Sequence, residues 1–171
     1  MNERKGAITF QGNPLTLLGE EVSPGQTAPE ATVLGNDLNP VAISDFRGKV
    51  AIIASVPSLD TPVCDTQTRR FNEAAAALGD GVAVLTVSMD LPFAQKRWCG
   101  SAGIESVVTL SDHRDGQFGE SFGLLIKELR LLARAVFVLD REGTVRHAQI
   151  VPEITDEPDY EAALQVARDL V

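Results

Sequence analysis

The sequence is short of the residues that staple a fold, bind metal or attract polyanions. It has two cysteines, two histidines and one tryptophan among 171 residues, and aromatic residues make up only 5%. Cys64 and Cys99 have neither Cys-x-x-Cys spacing nor a paired histidine cluster, which argues against a zinc site. His113 and His147 lie in unrelated contexts, with no metal-ligand spacing. No stretch reaches the roughly 20 apolar residues that a spanning helix needs. The start, MNERKGAITF, has charges but no apolar run behind them, so it does not read as a secretory signal, and a cytoplasmic location is expected. Lysine and arginine nowhere form a block and the net charge is −9. That argues against nucleic acid and anionic membrane as partners, because both need clustered positive charge.

What is present suffices for a packed core. The hydrophobic fraction is 44% and the charged fraction 23%, ordinary values for a globular chain. A chain of this size removes about 70% of its unfolded surface from water. No repeat, low-complexity tract or linker interrupts it, so one domain over residues 1–171 is expected. Such a chain does not need a structural disulfide, and a reducing cytosol would not maintain one. The two cysteines are then either inert core thiols or a pair that does redox chemistry.

Hydrophobic periodicity orders the elements. Two short apolar runs around Gly12-Asn13-Pro14 read as an N-terminal hairpin. Residues 25–40 are rich in turn formers, and residues 41–43 read as a short strand. Residues 50–56, VAIIASV, form a continuous apolar run of the kind buried on both faces of a sheet. A helix follows over 62–78, then a second buried strand over 82–89. A helix over 92–100 is closed by Gly100, and a third strand covers 106–111. A short helix is expected over 117–122, a hairpin over 135–139 and 144–150, and a final helix over 158–171. Alternating strands and helices imply a parallel central sheet with right-handed crossovers, to which the late hairpin adds an antiparallel edge. The expected fold is an α/β, thioredoxin-like three-layer sandwich with a central mixed sheet and an N-terminal β-hairpin.

The chemistry concentrates in S-V-P-S-L-D-T-P-V-C-D, residues 55–65. Here a buried strand ends, a loop follows and a helix begins. Thr61 fits the N-cap, where its hydroxyl accepts from an orphan backbone N–H. Pro62 fits the first helical position, where its missing N–H is no loss. Cys64 then falls in the first turn, beside unpaired amides and the positive end of the helix dipole. Helix N-termini lower a cysteine's pKa from about 8.5 to ~3.5–7.5, and the thiolate is the nucleophile. The site also lies at the carboxyl edge of a parallel strand, where open α/β folds place their sites. The plainer alternative is a small buried hydrophobe near a helix start. Asp65 is awkward, since a carboxylate beside the sulfur opposes ionisation. It is expected to point away.

Pro57, Thr61 and Cys64 reproduce the peroxiredoxin pattern Pro-x-x-x-Thr-x-x-Cys. Further stretches, FQGNPLTL, PSLDTPVCDTQTRRFN, DLPFAQKRWCG, TLSDHR, ARAVFVLD and ITDEPDYEAAL, cover nearly the whole chain in order. In them the sequence resembles the thiol peroxidase subfamily of the peroxiredoxins. That resemblance implies a peroxidatic role for Cys64, an active-site threonine and shielding proline in Thr61 and Pro57, and a peroxide-contacting arginine in Arg134. It implies that Cys99 is the resolving cysteine, pairing with Cys64 in an intramolecular disulfide. It further implies hydroperoxides as substrates, thioredoxin as reductant, no cofactor and a homodimer. Arg134 can be argued separately, because it begins an otherwise apolar strand, where a charge is costly without a partner. A surface arginine at a strand edge is the alternative. Arg69, Arg70 and Arg114 are other candidates to approach the site, with solvated roles as the alternative for each. Leu91 and Phe93 suit a pocket for bulky hydroperoxides, or the core, or an interface.

Disulfide formation requires Cα atoms within about 7 Å. Cysteines on separate helices are expected to lie further apart when reduced, so oxidation must unwind part of both helices. The second functional reading is a non-catalytic redox sensor using the same disulfide.

Overall fold

The computed structural model describes residues 1–171. Strands β1 (Glu3–Phe10) and β2 (Asn13–Leu18) form the expected N-terminal hairpin. Short strands β3 (Thr32–Leu34) and β4 (Pro40–Ala42) follow, and a 3₁₀ turn covers Ile43–Phe46. Strand β5 (Val50–Ser55) is buried at every residue and leads to α1 (Pro62–Leu78). Then come β6 (Val82–Ser88), α2 (Pro92–Ala102), β7 (Val107–Ser111) and α3 (Gln117–Ser121). The chain ends with β8 (Leu125–Ile126), β9 (Ala135–Leu139), β10 (Val145–Ile150) and α4 (Tyr160–Leu170). No helix is long and apolar enough to cross a membrane.

The main sheet has seven strands in the order β10-β9-β5-β6-β7-β3-β4. β5, β6 and β7 run parallel, while β9 returns antiparallel beside β5. Side chains alternate across the pleat, so each strand feeds two cores. Ile52, Ala54, Val84 and Val138 face α1 and α4, where Phe71 and Tyr160 meet edge to face at 5.4 Å. Ile53, Leu85, Leu110 and Phe137 face the other layer, built from α3 and the small sheet β1-β2-β8. Three layers result, with both faces of the sheet covered, which is why β5 and β6 read as unbroken apolar runs.

Several expected bounds shift by a terminal residue, and three shifts bear on how the elements end. Helix α2 runs past Gly100 and closes at Gly103, whose left-handed φ of +69° lets its N–H bond the Cys99 carbonyl. Gly100 is simply a helical residue. Helix α4 starts at Tyr160 because the Asp159 carboxylate accepts the Ala162 N–H at 3.0 Å and fixes the cap there. Ile43 leaves the strand and opens the 3₁₀ turn.

Two carboxylates give the fold a defined pH response. Asp112, 2% exposed, accepts the Phe118 and Gly119 amides at 3.0 and 2.8 Å and so anchors α3. Burial pushes its pKa up to about 6, against those two bonds. Glu153 accepts from Gly12, Thr155 and Thr9 around the first hairpin, and these bonds hold it down at about 2. The folded chain therefore keeps a proton on Asp112 that the unfolded chain has already released between about pH 4 and 6. Stability falls as pH rises through that window, by up to about 3 kcal/mol. The Glu153 contribution has the opposite sign. It is complete above its unfolded pKa of 4.5 and is lost as pH falls toward 2. Denaturant titrations across pH 3–7 should show the falling limb in the natural chain and a flatter one in Asp112→Asn. An equal slope in both would remove Asp112 as its source.

Candidate active site

The last pair of the β5–β9 ladder builds the site. Ser55 ends β5 opposite Ala135, the first residue of β9. The antiparallel register thus sets Arg134 beside the point where the chain leaves β5 for the loop and α1. This is how residues 70 positions apart come to touch. Cys64 occupies the third position of α1, and Pro62 the first, as the sequence requires. Thr61 has the extended backbone of an N-cap, with φ −100° and ψ 148°. Its hydroxyl does not cap, however. It donates to the Ser58 carbonyl at 3.1 Å and closes the loop on itself. Pro57 is buried, and Cys64 is fully buried against Val56 and Leu59, with Trp98 packed on the cluster.

Arg134 is 2% exposed, so the surface alternative does not hold. Its three donor atoms point three ways. Nε donates to the Ile154 carbonyl at 2.9 Å, Nη1 to Gln67 Oε1 at 2.9 Å, and Nη2 to Cys64 Sγ at 3.2 Å. None of the ion pairs in the chain includes Arg134. A guanidinium stays charged in proteins. Of the three groups it holds, only the Cys64 sulfur can carry a negative charge. The other arginines are placed elsewhere: Arg69 pairs with Asp65, Arg114 with Asp115, and Arg70 lies over the Tyr160 ring at 4.6 Å.

Asp65 points away from the sulfur, as expected. Its Oδ2 takes Arg69 Nε at 2.8 Å and its Oδ1 takes the Trp98 indole N–H at 3.0 Å. Cys99 follows Trp98 on α2, but its Sγ lies 3.5 Å from Thr109 Oγ1 on β7. Both cysteines are free, and Cys99 is half-buried. Leu91 and Phe93 are exposed at the start of α2.

Sequence reasoning overlooked Gln67 and Asp90. Gln67 is fully buried and orients Arg134. Arginine only donates, so the amide oxygen must face it, and the buried Nε2 is left without a partner. Its signal was spacing: Cys64, Gln67, Thr68 and Phe71 form one inward stripe of α1. Asp90 lies just beyond the carboxyl end of β6. It accepts the Ser58 hydroxyl, the Leu59 amide and the Ser88 hydroxyl, each at 2.8 Å, and so pins the loop before Cys64. No local pattern marks it.

The redoxin family model matches residues 23–164. A thiol peroxidase of Halalkalibacterium halodurans is 60% identical over 162 residues, covering 95% of this chain and 97% of its own. The thiol peroxidase of Bacillus subtilis is 60% identical over 164 residues, covering 96% and 98%. Among solved structures, a peroxiredoxin-like protein from Aquifex aeolicus is 44% identical with a TM-score of 0.91 over the full length of both chains. A thiol peroxidase from Chromobacterium violaceum shares the fold at a TM-score of 0.85 and 16% identity, over 95% of each chain.

Proposed function

The chain belongs to the redoxin family, among its thiol peroxidases, and is a thiol-dependent peroxidase; from that premise we propose that Cys64 is the peroxidatic cysteine, Cys99 the resolving cysteine and thioredoxin the reductant. The observation that carries the reading is the buried, carboxylate-free contact of Arg134 with Cys64 at 3.2 Å. A buried charge is tolerated when it is paired and hydrogen-bonded. Arg134 has its counter-charge only when Cys64 is a thiolate.

The thiolate attacks one peroxide oxygen and the O–O bond breaks. The departing oxygen leaves as water or alcohol, carrying the proton that the thiol gave up, and Cys64 becomes a sulfenic acid. Arg134, the Thr61 hydroxyl once released from Ser58, and the first-turn amides stabilise the charge developing on the leaving oxygen. Pro57 shields the sulfur. Because Cys64 is fully buried, a peroxide reaches it only when the loop side of its packing, around Val56 and Leu59, loosens. Cys99 then displaces water from the sulfenic acid, and thioredoxin reduces the disulfide by exchange. Hydrogen peroxide and organic hydroperoxides are both within this reading. Leu91 and Phe93 offer an apolar flank next to Asp90, which holds the loop before Cys64. Sedimentation at assay concentration tests the homodimer that the resemblance implies.

The deciding experiment follows consumption of hydrogen peroxide and an organic hydroperoxide, coupled to thioredoxin and its reductase. Continuous turnover is expected. A sensor would oxidise once and stay oxidised, and that outcome would displace the peroxidase reading. Trp98 supplies a second signal, since its ring packs on the Cys64 cluster and its N–H bonds Asp65. Its emission should shift on disulfide formation. An unchanged spectrum after confirmed oxidation would count against local rearrangement.

A further inference from the structure

We propose that Asp65 is a positioning residue for the second chemical step: its carboxylate latches α2 onto the first turn of α1, holds Cys99 away from Cys64, and thereby sets the rate of disulfide formation while leaving peroxide attack alone. The inference rests on the reading of Cys99 as the resolving cysteine.

Four contacts make the latch. Asp65 Oδ1 accepts the Trp98 N–H at 3.0 Å and Oδ2 accepts Arg69 Nε at 2.8 Å. Arg69 also donates Nη1 to the Ala102 carbonyl at 3.3 Å, at the end of α2, and its guanidinium lies 5.9 Å from the Trp98 ring centre. One carboxylate thus ties the middle of α2 directly, and its last turn through Arg69, to the residue that follows Cys64. Trp98 packs on the Cys64 cluster. Successive helical residues point about 100° apart, and Cys99 accordingly faces Thr109 on β7 at 3.5 Å. Cys99 reaches Cys64 only after Trp98 leaves its seat. Every contact that stabilises the seated form raises the barrier to that step.

The step itself is balanced. Cys99 gives up its thiol proton, and its sulfur electron pair attacks the Cys64 sulfenic sulfur. The S–O bond breaks, and the departing hydroxide takes up a proton as water. The two-electron oxidation was supplied earlier by the peroxide. None of this chemistry uses Asp65, whose carboxylate faces away from Cys64.

The test is rapid-quench single turnover with thiol alkylation and mass analysis, which separates sulfenic acid formation from disulfide formation. Asp65→Ala should form the disulfide about five- to tenfold faster, the scale of one ordinary hydrogen bond at a partly exposed site. Its sulfenic acid should form within about twofold of the natural rate, and less sulfinic acid should accumulate at high peroxide. Trp98→Phe keeps an aromatic ring, though a smaller one, and deletes the N–H, so it should accelerate the same step, and the double variant should be no faster than Asp65→Ala. Asp65→Asn retains an oxygen for the indole and should stay closer to the natural chain. Generalised loss of structure would slow both steps together, a pattern that counts against the latch. Unchanged or slower resolution in Asp65→Ala, or full additivity with Trp98→Phe, would overturn it. Failure of the natural chain to form any Cys64–Cys99 disulfide would instead overturn the reading beneath it, and the latch with it.

Discussion

A chain carrying Cys64→Ser should consume no hydroperoxide above background, whereas Cys99→Ser should consume one equivalent and stop. Exposure alone would nominate the wrong residue. Cys99 is half-buried and Cys64 has no accessible surface. The guanidinium decides, since Arg134 donates to the Cys64 sulfur, whereas the hydrogen-bond partner of the Cys99 sulfur is the Thr109 hydroxyl. Serine keeps the shape but not the chemistry, because its hydroxyl does not ionise in the range where a thiol does and its oxygen is a weak nucleophile. With Cys99 gone, peroxide attack proceeds and the sulfenic acid has no partner within the chain. It should be trapped by a 1,3-dione reagent and seen as a single adduct on Cys64 by mass spectrometry. Steady turnover by Cys99→Ser at the natural rate with thioredoxin would show that the reductant attacks Cys64 directly. Residual peroxide consumption by Cys64→Ser would remove the central assignment.

Much of this arrangement is local, and the local part is what the sequence discloses. Pro62 at the first position marks the start of α1, so the expected bounds of that helix and the first-turn position of Cys64 agree with the structure. The unbroken apolar runs of β5 and β6 disclose burial on both faces. The parts that escape are tertiary or too short to have a period. β3 is three residues inside a turn-rich stretch, and β8 is two. Nothing in the periodicity of β9 says that it pairs with β5, yet that pairing delivers Arg134 to Cys64. The cost of a charge opening an apolar strand called for a partner such as a thiolate, but the family resemblance was needed to favour that over a surface position. Asp90 escaped for the same reason, because its partners Ser58 and Leu59 come from a different βα connection. The Thr61 hydroxyl shows a subtler limit. A cap position follows from sequence, but whether the side chain turns forward to the helix amides or back to Ser58 depends on the loop that Asp90 holds.

Arg134→Lys should lower kcat/KM for hydrogen peroxide by about two to three orders of magnitude, the usual cost of losing one preorganised donor at a developing charge. The change preserves the charge and is still severe. Arginine satisfies the Ile154 carbonyl, Gln67 and Cys64 with three nitrogens held in one rigid plane. A lysine ends in a single nitrogen and cannot span those directions. If the ammonium follows the sulfur, the Ile154 carbonyl and Gln67 Oε1 are left buried and unpaired, at about 1–3 kcal/mol each. If it follows the carbonyl, the thiolate loses its partner. The loss should therefore fall on the peroxide step, with thermal unfolding lowered by several degrees in parallel. Gln67→Leu provides the intermediate case: it frees Nη1 but leaves Nη2 on the sulfur, so its rate should lie between those of Arg134→Lys and the natural chain. Measuring the pre-steady-state rate of sulfenic acid formation keeps this effect separate from resolution and recycling. A folded Arg134→Lys chain that reacts within tenfold of the natural rate would mean that the helix terminus, and not the guanidinium, sustains the reactive sulfur.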